Sequence, residues 1–315
     1  MKHSLENIKK AKNPAHSPFV SFSAEGKHRQ RNRISYQKPK IISPVSQGHV
    51  IFFCGDVQQE AKGMTRLRHF AEFSKYSVES TVRILAEKFE NYNIWVVQPS
   101  QMLDNVYSIY SNFISSENLD EFGSVKSFDS RGTACEHLLA LLKFSCKKVH
   151  EMTEFQPEFN KAITLLGFSK GAMVLNQLIS ELSVKLSPFQ CESGSDSDYT
   201  SSDSEPDEPY SNILFKRVKA IHFLDPGNGP LKGSWVLNHR AIASLVKFPI
   251  KMYIHGTKYQ WGSKLRPWLL AEKDSFVNRV ESEGGVVMAK EYFRANEGSL
   301  ALHFKLLEDF EPCNG

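Results

Sequence analysis

The strongest constraint on this chain is the stretch KAITLLGFSKGAMVL at residues 161–175, where an apolar run reaches a five-residue turn and an apolar helical pattern follows at once. The run AITLL (162–166) reads as a buried strand, and Ala172 to Leu186 reads as a helix with an apolar face. Between them lies Gly167-Phe168-Ser169-Lys170-Gly171. A strand that becomes a helix within so few residues needs small groups at the turn, and the G-x-S-x-G pattern supplies them while lifting the serine hydroxyl clear. The next amide, that of Lys170, then faces the place where an oxyanion would develop. A Gly-rich structural turn is the competing reading. A phosphate loop fits less well, because the Walker spacing and its terminal Lys-Ser/Thr are missing.

Strands and helices alternate around this turn. HVIFFC (49–54) is a strand closed by Gly55 and Asp56; residues 78–90 carry a helical apolar pattern; NIWVV (93–97) is a second strand that stops before Pro99. Helical spacing resumes over 132–148. Strands follow at VKAIHFL (218–224) and PIKMYIH (249–255), then a helix near 272–280, a strand at 286–293, and a last helix beginning close to His303. Such an alternation predicts an α/β fold, a mostly parallel central sheet with helices on both faces. Residues 100–131 are aromatic and polar, with Tyr107, Tyr110, Phe113, Phe122 and Phe128, and either complete the core or cover a cleft.

Charge divides the chain unevenly. Residues 1–40 hold ten Lys/Arg against Glu6 and Glu25, so the rest of the molecule is mildly acidic within a formal total of +4. The expected organisation is a basic flexible arm or targeting segment at 1–40 and one domain at 41–315. Without aromatic interleaving the arm gives little support to nucleic-acid binding. No apolar run approaches the roughly 20 residues of a membrane span, and no secretory-type apolar segment opens the chain. The first 20 residues carry four Lys and one Glu but no Arg, a weak match to a mitochondrial presequence. The stretch 190–211, which from Cys191 reads CESGSDSDYTSSDSEPDEPYS, has seven Asp/Glu and no Lys/Arg, and is expected to be a solvated acidic insertion, either a spacer or a docking segment for a protein partner. Ser193, Ser195 and Ser202 each have an acid three positions on, a pattern suited to acidophilic phosphorylation. Five cysteines without a close pair fit a reducing compartment, cytoplasm included, and offer no metal clamp; no cofactor or metal site is expected.

A serine hydroxyl needs a base to take its proton and an acid to orient the base, in the chain order Ser, Asp/Glu, His for this kind of turn. Asp225, at the end of the first strand after Ser169, is the candidate acid, against a plain turn role before Pro226. His303, after the last strand, is the candidate base, against a packing role. His222 and His255 compete but sit within strands, where core hydrogen bonding suits them better; Asp274 and Glu297 are fallback acids. GTKYQWGSK, after His255, has no carboxylate at the more usual acid position. A second oxyanion donor is expected from the backbone of Gly55 and Asp56, although the Asp56 charge would oppose an oxyanion unless its side chain turned away. Tyr107 to Phe128, with Trp261 and Trp268, are candidates for an apolar acyl-binding surface.

Taken together, HVIFFCGDVQ, GFSKGAMVLNQL, IHFLDPGN and LHFKLLEDF resemble the α/β-hydrolase-like family of the vertebrate mitochondrial protein named for chromosome 2 open reading frame sixty-nine, across residues 48–310. The resemblance implies an α/β-hydrolase-like fold and a mitochondrial, matrix location, and it carries Ser169 onto the family's serine motif, with Asp225 and His303 as its later partners. The function expected is hydrolysis of an ester or thioester, lipid-like in character, through an acyl-enzyme. The alternative is a catalytically silent interaction protein on the same fold.

Overall fold

The computed structural model describes residues 19–41, 48–183 and 208–312. One eight-stranded sheet organises them. Its strands are β1 (Val20–Glu25), β2 (Arg31–Gln37), β3 (His49–Phe53), β4 (Asn93–Val97), β7 (Ile163–Phe168), β8 (Val218–Leu224), β9 (Lys251–Thr257) and β10 (Val287–Tyr292), while β5 (Gln101–Leu103) and β6 (Tyr107–Ile109) pair as a separate hairpin. The spatial order is β1-β2-β4-β3-β7-β8-β9-β10. Strand β2 runs antiparallel to both β1 and β4, and every later pairing is parallel. The chain enters the sheet at one edge with β1, departs from sequential order only where β4 lies between β2 and β3, and then runs from β7 to β10 at the other edge.

The described helices are α1 (Ala61–Arg66), α2 (Val78–Lys88), α3 (Thr133–Thr153), α4 (Ala172–Ser180), α5 (Tyr210–Arg217), α6 (His239–Leu245), α7 (Lys258–Trp261), α8 (Trp268–Ser282) and α9 (Leu300–Asp309). Alternate residues of the central strands serve opposite layers. Val50, Phe52, Ile94, Val96, Leu166 and Phe168 pack with α2 and α9, whereas Ile51, Phe53, Trp95, Val97 and Leu165 pack with α3, α4, α6 and α8. Burial on both faces explains why these strands read as unbroken apolar runs. Each large side chain so buried contributes roughly 1.5–3 kcal/mol.

The organisation expected at the N-terminus is corrected by β1 and β2. Residues 20–37 form a hairpin that begins the main sheet, so the folded domain starts well before residue 41, and of the basic arm only 1–18 lie outside the described residues. Phe22, Ala24, Ile34 and Tyr36 point into the core, while Arg31 and Arg33 are exposed and pair with Glu25 and Glu60. Lys27, at the turn, pairs with Glu136. Over residues 20–37 the basic composition belongs to the outward-facing side of an antiparallel hairpin. At the other variable segment, α5 starts at Tyr210, inside the stretch expected to be solvated, and residues 190–207, with the candidate phosphorylation serines, lie outside the described residues.

The aromatic stretch 100–131 does both things its composition offered. Tyr110 and Phe113 are buried against Phe53, whereas Tyr107 lines a cleft and Phe122 stays exposed.

Besides His303, four histidines are buried among the described residues. Trp95 Nε1 donates to His49 Nδ1 at 3.0 Å, and the Lys27 amide donates to His137 Nδ1 at 3.0 Å, so each ring accepts through one nitrogen and is neutral. His222 and His255 lie 3.1 Å apart, nitrogen to nitrogen, and His255 meets the Tyr292 hydroxyl at 3.0 Å. Both serve as core hydrogen-bonding groups. Desolvation holds His49, His137 and His255 down at about 4 and His222, with His255 beside it, at about 3. An unfolded histidine takes up a proton near 6.5, so below that pH the unfolded chain binds protons the folded one refuses, and stability falls as pH falls. Asp56 and Glu181, whose carboxyls burial pushes up, contribute with the opposite sign but are fewer. Urea unfolding at pH 7.5 and pH 5 should show a loss of at least ~2 kcal/mol at the lower pH; equal midpoints would contradict neutral buried rings.

Candidate active site

Three strands of the sheet end side by side, and each ends in a residue held at a backbone angle that L side chains rarely adopt. Val57, just after β3, has φ +68°; Ser169, after β7, has φ +52°; Asp225, after β8, has φ +45°. Each such residue costs of the order of 1–3 kcal/mol, and strain of this kind gathers where a side chain must be aimed. Packing fixes the turns. A Cβ on Gly171 would lie 2.2 Å from the Phe53 carbonyl, and one on Gly55 would lie 2.7 Å from Ser169 Cβ, so only glycine lets the β3 loop and the serine turn approach this closely.

Asp225 is fully buried and anchors the site. Its Oδ1 accepts the Thr257 amide at 2.8 Å, and its Oδ2 accepts both the Thr257 hydroxyl at 2.7 Å and His303 Nδ1 at 2.7 Å. Gln260 Nε2 donates to its carbonyl at 3.3 Å. A buried carboxylate is tolerable only when its lone pairs are satisfied in this way. Thr257 therefore occupies the end of β9, the strand at which the sequence lacks an acid, and supports the acid of the neighbouring strand from there. His303, in the first turn of α9 and only 3% exposed, is flanked by Phe168 at 4.5 Å and Tyr259 at 4.7 Å between ring centroids. With Nδ1 committed to Asp225, Nε2 is the nitrogen left for chemistry.

Ser169 is half-buried, and it lines one cleft of about 280 Å³ together with His303, Asp56, Tyr107, Tyr259 and Arg266. Phe70, Val106, Leu300 and Phe304 give the cleft apolar walls. The structure thus brings Asp225 and His303 into contact and sets Ser169 beside His303 in the same cleft, with no hydrogen bond joining Ser169 to His303 among the described residues. Asp274 lies away from the cleft against Lys273, and Glu297 borders an adjacent groove. Trp261 and Trp268 do not line the cleft: Trp261 packs beneath Gly256 and against the main core, so the expected aromatic surface is supplied by Phe70, Tyr107, Tyr259 and Phe304.

The Asp56 carboxylate has turned toward a partner. Its Oδ1 lies 3.0 Å from Lys170 Nζ and accepts the Ser108 amide at 2.7 Å. Burial pushes this carboxyl up from its usual range, and the Lys170 ammonium pulls it back. Lys170 itself is buried and also donates to the Phe122 carbonyl at 2.8 Å. Around the loop, Gly55 N–H donates to Gln58 Oε1 at 2.9 Å and Val57 N–H to the Val106 carbonyl at 2.7 Å. The Gly55 amide is engaged, and among the described residues Asp56 N–H has no such acceptor.

Sequence reasoning missed Thr257, Gln260 and Arg266. Thr257 left one signal, a hydroxyl where a carboxylate was sought. Among the described residues no three His, Cys, Asp or Glu side chains gather as metal ligands would.

The strand order, the serine turn after β7 and the His-Asp pair at the carboxyl ends of the strands define an α/β-hydrolase-like protein. The sequence profile of the C2orf69 family matches residues 21–163 and 143–284, and the chain belongs to that family. It is 29% identical over 272 residues to the mitochondrial protein C2orf69 homolog of Danio rerio, covering 83% of this chain and 73% of that one. With the Homo sapiens mitochondrial protein C2orf69 it shares 27% identity over 309 residues, covering 85% and 75%. Among solved structures, esterase Est22 superposes at a TM-score of 0.48 with 8% identity, covering 92% of this chain and 76% of that one. The Pyrobaculum calidifontis esterase does so at 0.46 with 12% identity, covering 93% and 81%.

Because the Thr257 hydroxyl donates to a buried carboxylate, Thr257→Val removes a charge-assisted bond while nearly keeping volume. Chemical denaturation should show a loss of about 1.5–3 kcal/mol. An unchanged midpoint would mean that Asp225 does not depend on it.

Proposed function

We propose that this protein is a mitochondrial serine hydrolase of the matrix that cleaves an ester or thioester through an acyl-enzyme. The observation that carries the reading is the buried Asp225–His303 hydrogen bond, whose histidine shares a cleft with a serine held on a strained turn. His303 Nε2 takes the Ser169 proton as Oγ attacks the acyl carbon, and Asp225 holds the ring and balances the imidazolium that forms. The amides of Lys170 and Asp56 stabilise the oxyanion, with Asp56 taking the place of the engaged Gly55. His303 then protonates the departing alkoxide or thiolate, and a water activated by the same ring releases the acid. In the resting enzyme the serine-histidine contact is open and tightens with substrate, a common state for such pairs.

The apolar walls favour an aliphatic acyl group, hence a lipid-like substrate. At about 280 Å³ the cleft lies just under the roughly 300–1,000 Å³ usual for ligand pockets, which favours a short chain or one end of a longer one. The mitochondrial location follows the names of the relatives. Among the described residues no helix is long and apolar enough to cross a membrane.

One feature favours a catalytically silent interaction protein instead, the carboxylate of Asp56 on the cleft wall. Hydrolysis of short-chain nitrophenyl esters and thioesters, with fluorophosphonate labelling, separates the two readings. Parent protein should turn over and label. Ser169→Ala and His303→Ala should lose at least ~10³-fold in kcat/KM, and Asp225→Asn about 10²–10⁴-fold. A folded parent that neither labels nor hydrolyses would establish the silent reading.

The role given to Lys170 has its own test. Lys170→Met leaves the Asp56 charge uncompensated beside the oxyanion and should lower kcat at least ~10-fold, and adding Asp56→Asn should recover most of that loss. Additive losses in the double variant would contradict the charge-balancing role.

A further inference from the structure

Next to the cleft lies a larger open groove of about 580 Å³, bordered by Lys258, Lys264, Arg266, Leu265 and Glu297. Two residues, Tyr259 and Arg266, line both cavities. The lining of the groove comes largely from the chain's turn out of β9, the short helix α7 and the segment Gly262 to Arg266 that leads to α8. Three cations therefore meet at the rim of the site against one carboxylate, and none of the three forms an ion pair among the described residues. Arg266 is half-buried, with its guanidinium carbon 5.4 Å from the centre of the Tyr259 ring, and that ring in turn lies 4.7 Å from His303. A fork-shaped donor fixed on an aromatic face, one ring away from the base, suits an oxyanion ligand better than a lone flexible lysine would. Gln260, which also lines the cleft, has its Oε1 buried without a hydrogen-bond partner among the described residues.

We propose that the substrate is an anionic ester or thioester, whose acyl part enters the cleft while a phosphate or carboxylate on its leaving group is held in the adjoining groove by Arg266, with Lys258 and Lys264 adding attraction. This rests on the hydrolase reading for the acyl half only; the anion site stands on its own cations. Such a division gives the enzyme selectivity for the leaving group independent of acyl length. The cations also raise the encounter rate of an anionic substrate, an effect that salt weakens.

The test compares two soluble butanoyl esters that differ only in the alcohol, glycerol or glycerol phosphate. The parent should prefer the phosphate-bearing ester by at least ~10-fold in kcat/KM at low salt, mainly through KM, and Arg266→Gln should reduce that preference by roughly 10-fold. A parent that hydrolyses both esters equally, or prefers the neutral one, overturns the proposal while leaving the hydrolase intact. A binding arm, independent of turnover, titrates glycerol phosphate and inorganic pyrophosphate into Ser169→Ala protein by calorimetry, and repeats it with Lys258→Gln/Lys264→Gln added. Saturable binding that weakens at least ~10-fold in the triple variant supports the groove even if no ester is turned over; no binding to Ser169→Ala protein overturns it. Co-sedimentation of the same protein with phosphatidic acid or phosphatidylcholine vesicles, set beside the calorimetry, identifies whether the anion is a lipid headgroup or a dispersed metabolite phosphate.

Discussion

The structure around the cleft depends on one buried carboxylate. Asp225 has no exposure, and a charge in that position is a liability unless every lone pair is engaged. Thr257 supplies two donors, His303 a third, and Gln260 holds the backbone carbonyl. Because those donors come from β9, α7 and α9, satisfying a single carboxylate ties together the parts of the chain that follow β8. The same bonds fix which nitrogen of His303 is spoken for. Stability and chemical competence therefore share one set of contacts.

The opposite wall is assembled by a second buried charge. Lys170 follows the serine and reaches Asp56 on the β3 loop and the Phe122 carbonyl on the aromatic segment, while Tyr110 and Ser108 bond to the carbonyls of Cys54 and Gly55. The loop that would cradle an oxyanion is thus bolted to the serine turn by a lysine in the middle of the serine motif. An acid that looks unfavourable in the sequence becomes half of an internal ion pair. Its residual electrostatic effect on the cleft is set by how well Lys170 compensates it.

Much of this was legible in the sequence. NIWVV and VKAIHFL mark their strands because parallel strands buried on both faces need continuous apolar runs, and the turn at Ser169 announces itself through glycines that packing does require. Chain order and strand-end position pointed to Asp225 and His303, which the structure joins by a hydrogen bond. The hairpin of β1 and β2 was not legible, since its solvent-facing Arg31 and Arg33, which pair with Glu25 and Glu60, give the stretch the basic composition of a tail. The role of Thr257 was hidden because a threonine at a strand end is ordinary until a neighbouring strand places a carboxylate beside it. Trp261 and Trp268 were misleading for the converse reason: large rings near a site are as easily core as lining, and only the path of the backbone decides.

The central claim is that Ser169, His303 and Asp225 form one catalytic unit facing amides of Lys170 and Asp56. A crystal structure of the protein after reaction with a small alkyl phosphonate tests it most directly. The account predicts phosphorus bonded to Ser169 Oγ, a phosphonyl oxygen roughly 2.7–3.1 Å from the amides of Lys170 and Asp56, and His303 still bound to Asp225. A phosphonate attached elsewhere, or an oxygen pointing away from both amides, would contradict it.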